Sequence, residues 1–173
     1  KEEYMEKFGT SAEMTEATLL LNTNDIQMTQ VQIVRVGQWY TPDFFALEMP
    51  FLFDSHEHAT RVLEGEIGSR MLADLVERSP ARGLAFTYSG GFRIIPASVA
   101  VEKLEDLRGL RVRIPASPVA KDTFEAIGAV PVEMAIEQLA EGLATKSVDA
   151  GESTYPRIYG MKQAEVSKSL VHS

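Results

Sequence analysis

The second half of this 173-residue chain alternates strand-like apolar runs with amphipathic helical segments, and this alternation constrains the fold more than any other feature. The clearest helix of this half has Ser117 as its N-cap residue and Pro118 at its first helical position, and it stops at Gly128. The strand-like runs are residues 82–88, 92–98, 110–114, 129–133 and 148–152. Strands that alternate with helices of about ten residues predict an open α/β sheet, at least partly parallel.

The first half of the chain shows a less regular pattern. Residues 1–8 are charged and fit a helix, whereas residues 12–21 fit a helix or a strand equally well. Residues 29–36 alternate between apolar and polar side chains, which predicts a strand. Residues 41–43 predict a turn. The aromatic stretch at residues 44–53 has a proline inside it and therefore predicts a buried extended segment.

One long helix is expected between these two regions. Asp54 and Ser55 offer N-cap oxygens, apolar residues then recur at three- and four-residue spacing, and Ser79 with Pro80 ends the pattern. Further helices are predicted in the second half, over residues 101–108, 136–144 and 156–168.

Composition excludes several classes of function. The chain has no Cys, which removes disulfides, thiolate catalysis and zinc–thiolate sites together, and its three His residues make a metal site improbable. The net charge of -8 argues against a nucleic-acid binder, because a polyanion requires a basic face. No apolar run approaches the roughly 20 residues of a membrane span. We therefore expect no metal and no cofactor.

The charge is divided unevenly along the chain. Residues 1–86 contain 14 acidic and 7 basic residues, whereas residues 87–173 contain 11 acidic and 10 basic ones. An acidic solvated surface on the first half accounts for most of the imbalance. The second half therefore has more positive potential for an anionic ligand.

The predicted topology selects candidate ligand residues, since an open α/β sheet binds ligands beyond the carboxyl ends of its strands. Arg111 and Arg113 share one face of a strand, and Arg113 is nearer the carboxyl end. Ser117 then opens a helix whose N-terminal amides favour an anion. A guanidinium offers paired hydrogen bonds to a carboxylate. The alternative is that both arginines are surface partners of acids such as Glu102 or Asp106.

Other candidates carry weaker signals. Arg93 follows a Gly-Gly turn between two predicted extended segments, and it is either a ligand contact or an ordinary loop cation. Asp149 and Glu152 are a carboxylate pair that nothing marks as an acid or a base. The sequence has no nucleophile elbow, Walker loop or dinucleotide glycine fingerprint, so catalysis finds little support.

Several motifs, taken in order, resemble those of the DctP-like solute-binding proteins of TRAP transporters. The first is FALEMPFLF at residues 45–53. The others are HATRVL at 58–63, GLAF at 83–86, GFR at 91–93, LEDLRGLRVRI at 104–114, FEAIGA at 124–129, PVEM at 131–134, VDAGE at 148–152 and KQAEVSK at 162–168. The resemblance covers roughly residues 28–173.

The resemblance implies an α/β fold of the periplasmic binding protein type, type II-like, with two lobes and open mixed sheets. Residues 1–86 would form a partial first lobe and residues 87–173 a nearly complete second lobe. The family's first strand, its long C-terminal helix and the rest of its sheet have no counterpart in this sequence, so the chain reads as a fragment.

The resemblance also assigns site residues. The family arginine that pairs with the ligand carboxylate falls on Arg113, and a further arginine contact falls on Arg93. Ile136 stands where the family has an aromatic residue that stacks over the ligand. The segment that contains Glu152 and Ser153 also belongs to this ligand site, with Ser153 in place of an asparagine that often hydrogen-bonds the ligand.

The function implied is that of a periplasmic protein, not an enzyme, that closes on a small organic carboxylate and delivers it to a membrane permease. A sensory or regulatory module of the same fold without a permease is the alternative, and an enzyme on an α/β scaffold is less favoured. If the chain is complete as it stands, we expect weak ligand affinity, exposed apolar surface around Phe44–Phe53 and pairing with a second copy.

Overall fold

The computed structural model describes Leu21 and residues 24–172, and the chain divides into two units, Lys1–Phe86 and Thr87–Ser173. The expected helix at residues 1–8 lies outside the described residues, as does the ambiguous stretch 12–21 except for Leu21. The assignment of the two units to the two lobes of a binding protein stays a prediction.

The described part of the first unit contains helices joined by irregular segments. Helix α1 spans Ile33–Trp39, a 3-10 helix spans Pro42–Glu48, and helices α2 and α3 span His56–Leu63 and Glu66–Arg78. Its core consists of Val36, Phe44 and Leu75, with the rings of Phe44 and Phe86 6.1 Å apart. Further apolar side chains pack against this core, namely Val31, Ile33, Tyr40, Leu47 and Met71.

Two predictions for the first unit are wrong. The strand expected over residues 29–36 does not form, and its second half begins helix α1, because Ile33, Val36 and Tyr40 recur at helical spacing and pack into the core. The expected turn at residues 41–43 begins the 3-10 helix, because proline suits its first position.

The prediction for Phe44–Phe53 is also wrong. It is not a buried extended segment: Phe44 is buried within the 3-10 helix, whereas Phe51 is 88 % exposed. Met49 and Leu52 are exposed as well, so apolar surface is present in this segment, as expected.

The long helix predicted after Asp54 is two helices. Ser55 caps α2 by accepting a hydrogen bond from the backbone N–H of His58, at 3.1 Å. Gly65 then adopts an extended conformation as the N-cap residue of α3, because glycine has a low helix propensity. The helix ends at Ser79, as the sequence predicts.

The second unit contains a five-stranded mixed sheet of strand order β3-β2-β4-β1-β5. The strands are β1 Ile94–Ala97, β2 Arg111–Ile114, β3 Val130–Glu133, β4 Ala150–Gly151 and β5 Ser169–His172. Strand β2 runs parallel to β3 and β4, whereas β1 runs antiparallel to β4 and β5. The expectation of an open, partly parallel α/β sheet is confirmed.

The helices of the second unit connect these strands. A 3-10 helix at Leu104–Leu107 precedes β2, and α4 spans Pro118–Ala126 between β2 and β3. A 3-10 helix at Ile136–Gln138 continues into α5, Leu139–Thr145, before β4. Helices α6, Tyr155–Gly160, and α7, Gln163–Val166, lie between β4 and β5.

In the second half, one predicted strand does not form and one strand was missed. Residues 82–88 form no strand within the described part of the chain, because an apolar extended run becomes a strand only when a neighbouring backbone pairs with it. Strand β5 was not predicted, and the pairing of Ser169–His172 with Ile94–Ala97 explains why this short segment is extended.

Alternation along β2 separates the core from the polar face. Val112 and Ile114 are fully buried in the main core cluster, with Ile95, Phe124 and Ala150. Arg111 and Arg113 therefore point to the opposite face, as the period of two requires.

Candidate functional site

The ends of three parallel strands meet at Arg113. This residue lies near the carboxyl end of β2, Met134 follows β3, and Glu152 follows β4. The Nε of Arg113 donates to the Met134 carbonyl at 2.7 Å, and Nη1 donates to Glu152 Oε1 at 3.2 Å. The polar cluster lies at the sheet edge where α/β proteins bind ligands.

Arg93 joins this cluster from a fourth strand. It directly precedes β1, which runs antiparallel to β4, so the start of β1 lies beside the end of β4. Backbone hydrogen bonds between Ile94 and Ser153 fix this approach, and Arg93 Nε lies 2.9 Å from Glu152 Oε2. Glu152 thus bridges two arginines, with one carboxylate oxygen for each.

Arg113 carries a positive charge with little access to water. Its side chain is 5 % exposed, and burial lowers the pKa of its guanidinium from the ordinary value. The charge of Glu152 opposes this effect, whereas the charges of Arg93 and Arg157 add to it. An arginine side chain stays protonated in proteins, so the charge is retained at neutral pH.

Part of this guanidinium has no acceptor among the described residues. A guanidinium has five N–H donors, and the hydrogen bonds of Arg113 involve only Nε and Nη1. Within the described residues, Nη2 is left without an acceptor. Two donors on one nitrogen beside a buried positive charge suit an anionic oxygen.

Arg111, two residues earlier on the same strand, has a complete partner. Its Nε and Nη2 donate to the two carboxylate oxygens of Asp149 at 3.0 and 2.8 Å, and its backbone N–H donates to Asp149 Oδ2. The Arg111 side chain is 43 % exposed. The hydrogen bonds from Arg111 lower the pKa of Asp149 and raise that of Arg111.

The alternative that the arginines are surface partners of acids holds for Arg111, but its acid is Asp149, and neither arginine pairs with Glu102 or Asp106. Asp106 instead accepts hydrogen bonds from the backbone N–H groups of Glu102 and Lys103, which hold its pKa below the ordinary value. It therefore stabilises the start of the 3-10 helix before β2.

The remaining candidate residues lie around the cluster in different ways. Ser117 is buried and caps α4 by accepting a hydrogen bond from the Ala120 N–H at 3.1 Å. Ile136 packs against the apolar cluster of Leu139, Leu143 and Val148. Ser153 follows Glu152 directly, but its hydroxyl donates to the buried Gln163 Oε1 at 2.7 Å.

The close approach of β2 and β4 requires a small residue opposite Arg113. Gly151 is the register partner of Arg113, and a Cβ placed on it would lie 2.5 Å from Leu139 Cδ1 and 3.1 Å from Arg113 Cβ. A larger residue here would displace the arginine or the core. Gly151 is therefore part of the frame that positions the guanidinium.

Three residues of this region were missed by the sequence analysis. Arg157 lies in α6 and adds a third positive charge near Arg113. Gln163 fixes Ser153, and Thr154 has a buried hydroxyl without a hydrogen-bond partner. The one available signal was the position of Arg157, five residues after Glu152 at the start of a predicted helix.

Metal and membrane chemistry find no support in the part of the chain that the structure describes. Among those residues, no group of three or more His, Asp or Glu side chains could hold a metal ion. No helix described there combines the length and the apolar character needed to cross a membrane.

Known proteins resemble this chain in sequence and in fold. The family model for DctP, the bacterial extracellular solute-binding proteins of family 7, matches residues 6–173. The C4-dicarboxylate-binding periplasmic protein DctP of Rhodobacter capsulatus is 32 % identical over 148 residues, which cover 86 % of this chain and 44 % of that protein.

Solved structures show the same relationship. A TRAP periplasmic solute-binding protein of Pseudomonas putida F1 with bound D-glucuronate gives a TM-score of 0.80 at 29 % identity, over 90 % of this chain and 50 % of that one. One from Shewanella oneidensis with bound succinate gives a TM-score of 0.80 at 27 % identity, over 88 % and 49 %.

The chain therefore belongs to the DctP family of bacterial extracellular solute-binding proteins, and its fold is that of TRAP solute-binding proteins. It spans about half the length of the relatives that it matches.

Proposed function

We propose that this protein is a periplasmic solute-binding protein that binds a small organic carboxylate at Arg113, without converting it, and delivers it to the membrane permease of a TRAP transporter. The observation that carries the proposal is the buried guanidinium of Arg113, whose Nη2 has no acceptor among the described residues.

Contacts within the chain hold the guanidinium of Arg113 in a fixed orientation. Hydrogen bonds to the Met134 carbonyl and to Glu152 fix the plane of the guanidinium before a ligand arrives. A donor held in place loses little conformational entropy on binding. Because the site is largely shielded from water, its attraction for a carboxylate exceeds that of an exposed arginine.

Glu152 sets the charge balance of this cluster. Arg93, Arg113 and Glu152 together carry a net charge of +1, which one carboxylate neutralises. Without Glu152, the buried charge of Arg113 would lie near the charge of Arg93 with no carboxylate between them. We infer that Glu152 keeps the cluster stable between binding events while leaving one positive charge for the ligand.

The relatives support this assignment of ligand class. The solved structures are named for bound D-glucuronate and bound succinate, both of which carry a carboxylate. For the ligand to be released, the cleft must open again. A difference of a few kcal/mol between the open and closed states is enough for this.

A thermal-shift screen tests the proposal on the full-length protein. Organic acids are compared with their neutral amides, because the amide keeps the size of the ligand and removes its charge. We expect at least one acid to raise the Tm, since a ligand of the folded state stabilises it, while its amide leaves the Tm unchanged. The absence of any acid effect, or an equal effect of the amide, would contradict the proposal.

The permease partner and the periplasmic location follow from the same relatives, two of them named periplasmic solute-binding proteins and one a periplasmic binding protein. Co-purification with a TRAP permease from detergent-solubilised membranes tests the partner. The expected pairing of two copies stays a prediction, and the molar mass in solution tests it.

A further inference from the structure

Gln163 places a polar amide in the interior of the second unit. It lies in the short helix α7 and is 0 % exposed. A buried amide costs free energy unless hydrogen bonds replace those that it loses to water. Leucine or methionine would fill a similar volume without that cost, so packing alone does not explain a glutamine at this position. The role of Gln163 therefore depends on what its amide binds.

The oxygen of this amide holds Ser153. The Ser153 hydroxyl donates to Gln163 Oε1 at 2.7 Å, and both residues are fully buried. The amide nitrogen donates to Met161 Sδ at 3.8 Å, so the amide is held from two sides. A hydroxyl has one hydrogen, and that of Ser153 is already used within the chain. Ser153 is therefore better suited to hold other residues in place than to contact a ligand.

Ser153 in turn joins the two segments that carry the charged cluster. Its backbone N–H donates to the Ile94 carbonyl at 2.8 Å, and its carbonyl accepts from the Ile94 N–H at 3.0 Å. Arg93 directly precedes Ile94, and Glu152 directly precedes Ser153. This pair of hydrogen bonds therefore sets how Arg93 approaches Glu152, with Nε of the arginine 2.9 Å from Oε2 of the acid.

The backbone ladder supports this junction only in part. Alternate residues of β1 and its extension direct their backbone nitrogens towards β4. Ile94 donates to Ser153 and Ser98 donates to Asp149, at 3.0 and 2.9 Å. Pro96 lies between them and has no N–H to donate. The contact at Ser153 is thus separated from the rest of the ladder, and a restraint from α7 compensates for the missing hydrogen bond.

We propose that Gln163 is a positioning residue of the ligand site. Through Ser153, its amide keeps Glu152 beside Arg93 and Arg113, with one carboxylate oxygen for each arginine. This inference rests on the proposed function of Arg113, because the arrangement matters for binding only if Arg113 holds the ligand. It also gives the Ser153 hydroxyl a role in the framework of the site instead of a contact with the ligand.

Hydrogen exchange of the ligand-free, full-length protein tests the structural step. Gln163→Met keeps the length of the side chain and removes its amide. We expect the backbone N–H groups of Ile94 and Ser153 to exchange at least about tenfold faster, because their hydrogen bonds lose the restraint from α7. The N–H of Val130, which donates to the Leu110 carbonyl at 2.8 Å, should exchange at its wild-type rate. Equal acceleration at Val130, or no acceleration at Ser153, would overturn the inference.

Calorimetry with succinate and with D-glucuronate tests the effect on binding. Gln163→Met should bind the acid that the wild type binds about fivefold more weakly, the equivalent of one net hydrogen bond. Ser169→Ala is the matched control, because the Ser169 hydroxyl donates to the Val99 carbonyl at 2.8 Å in the same unit. Ser169 pairs with Ala97, at the opposite end of β1 from Ile94. This control should lose similar stability, with less than about a twofold change in affinity.

Ser153→Ala removes the same hydrogen bond from its other side. Its affinity loss should match that of Gln163→Met, and the double variant should lose no more than either single variant. Additive losses, or wild-type affinity in Gln163→Met, would overturn the role of Gln163 while binding at Arg113 stands. If Gln163→Met does not fold, Ser153→Ala decides by the same two measurements. If the wild type binds neither acid, the proposed function is what fails, and the exchange rates still decide whether Gln163 holds Ser153.

Discussion

Arg111 and Arg113 lie on the same face of strand β2, but they differ in burial and in ion-pair partners. Arg111 is half-buried and donates two side-chain hydrogen bonds to the carboxylate of Asp149. Arg113 is buried, shares Glu152 with Arg93 and keeps donors without an acceptor among the described residues. The difference shows what suits Arg113 to a ligand: the protein fixes its guanidinium in position but supplies only part of the negative charge that would neutralise it.

The largest expected effect is the loss of stability when Glu152, the acid beside Arg113, is neutralised, compared with the loss for Asp149, the acid beside Arg111. Glu152→Gln leaves the charges of Arg93 and Arg113 near each other with no carboxylate between them, and we expect a loss of about 3 kcal/mol in the free energy of unfolding. Asp149→Asn breaks a pair that solvent partly reaches, and it should cost about 1 kcal/mol. Urea unfolding measures both losses. Equal losses would contradict the claimed difference between the two arginines.

The next effect has the opposite sign. Thr154→Val keeps the shape of the side chain and removes a buried hydroxyl that has no partner, so we expect a gain of about 1 kcal/mol in stability. The neighbouring Ser153→Ala breaks the hydrogen bond to Gln163 and should lose about 1–2 kcal/mol. A loss in Thr154→Val would show that the hydroxyl is satisfied.

The smallest effect is a dependence on pH at the Arg111 end of the strand. Arg111 lowers the pKa of Asp149, so the pair stabilises the folded state fully above the ordinary aspartate pKa of about 4. This contribution is lost as the pH falls through the lower pKa of the folded protein. The stability difference between wild type and Asp149→Asn should therefore shrink on acidification.

Urea unfolding at a series of pH values measures this difference. Asp122→Asn is the matched control, because Asp122 is an exposed residue of α4 outside any ion pair of the described residues. A difference for Asp149→Asn that does not change with pH would show that the carboxylate contributes nothing as a charge.

The sequence could predict the sheet edge and the position of Arg113 at it, because strand periodicity is local. Residues 110–114 alternate strictly, and the rule for strand ends in α/β sheets then points to Arg113. The cap at Ser117 was also predicted, since capping depends on neighbouring residues alone.

The rest depended on contacts between distant residues. Alternation at residues 29–36 suits a strand, but packing against Phe44 and Leu75 selects the helix α1. Glu152 lies 59 positions after Arg93 and 39 positions after Arg113, and no local pattern encodes the bridge that joins the three residues. Arg157 was missed for the same reason.

The central claim, that Arg113 and not Arg111 binds the ligand, is tested most directly by calorimetry of Arg113→Gln and Arg111→Gln with an acid that the wild type binds. Arg113→Gln should lose about 100-fold in affinity, and Arg111→Gln should stay within about threefold. Circular dichroism first confirms that each variant is folded. Equal affinities in the two variants, or a larger loss in Arg111→Gln, would contradict the account.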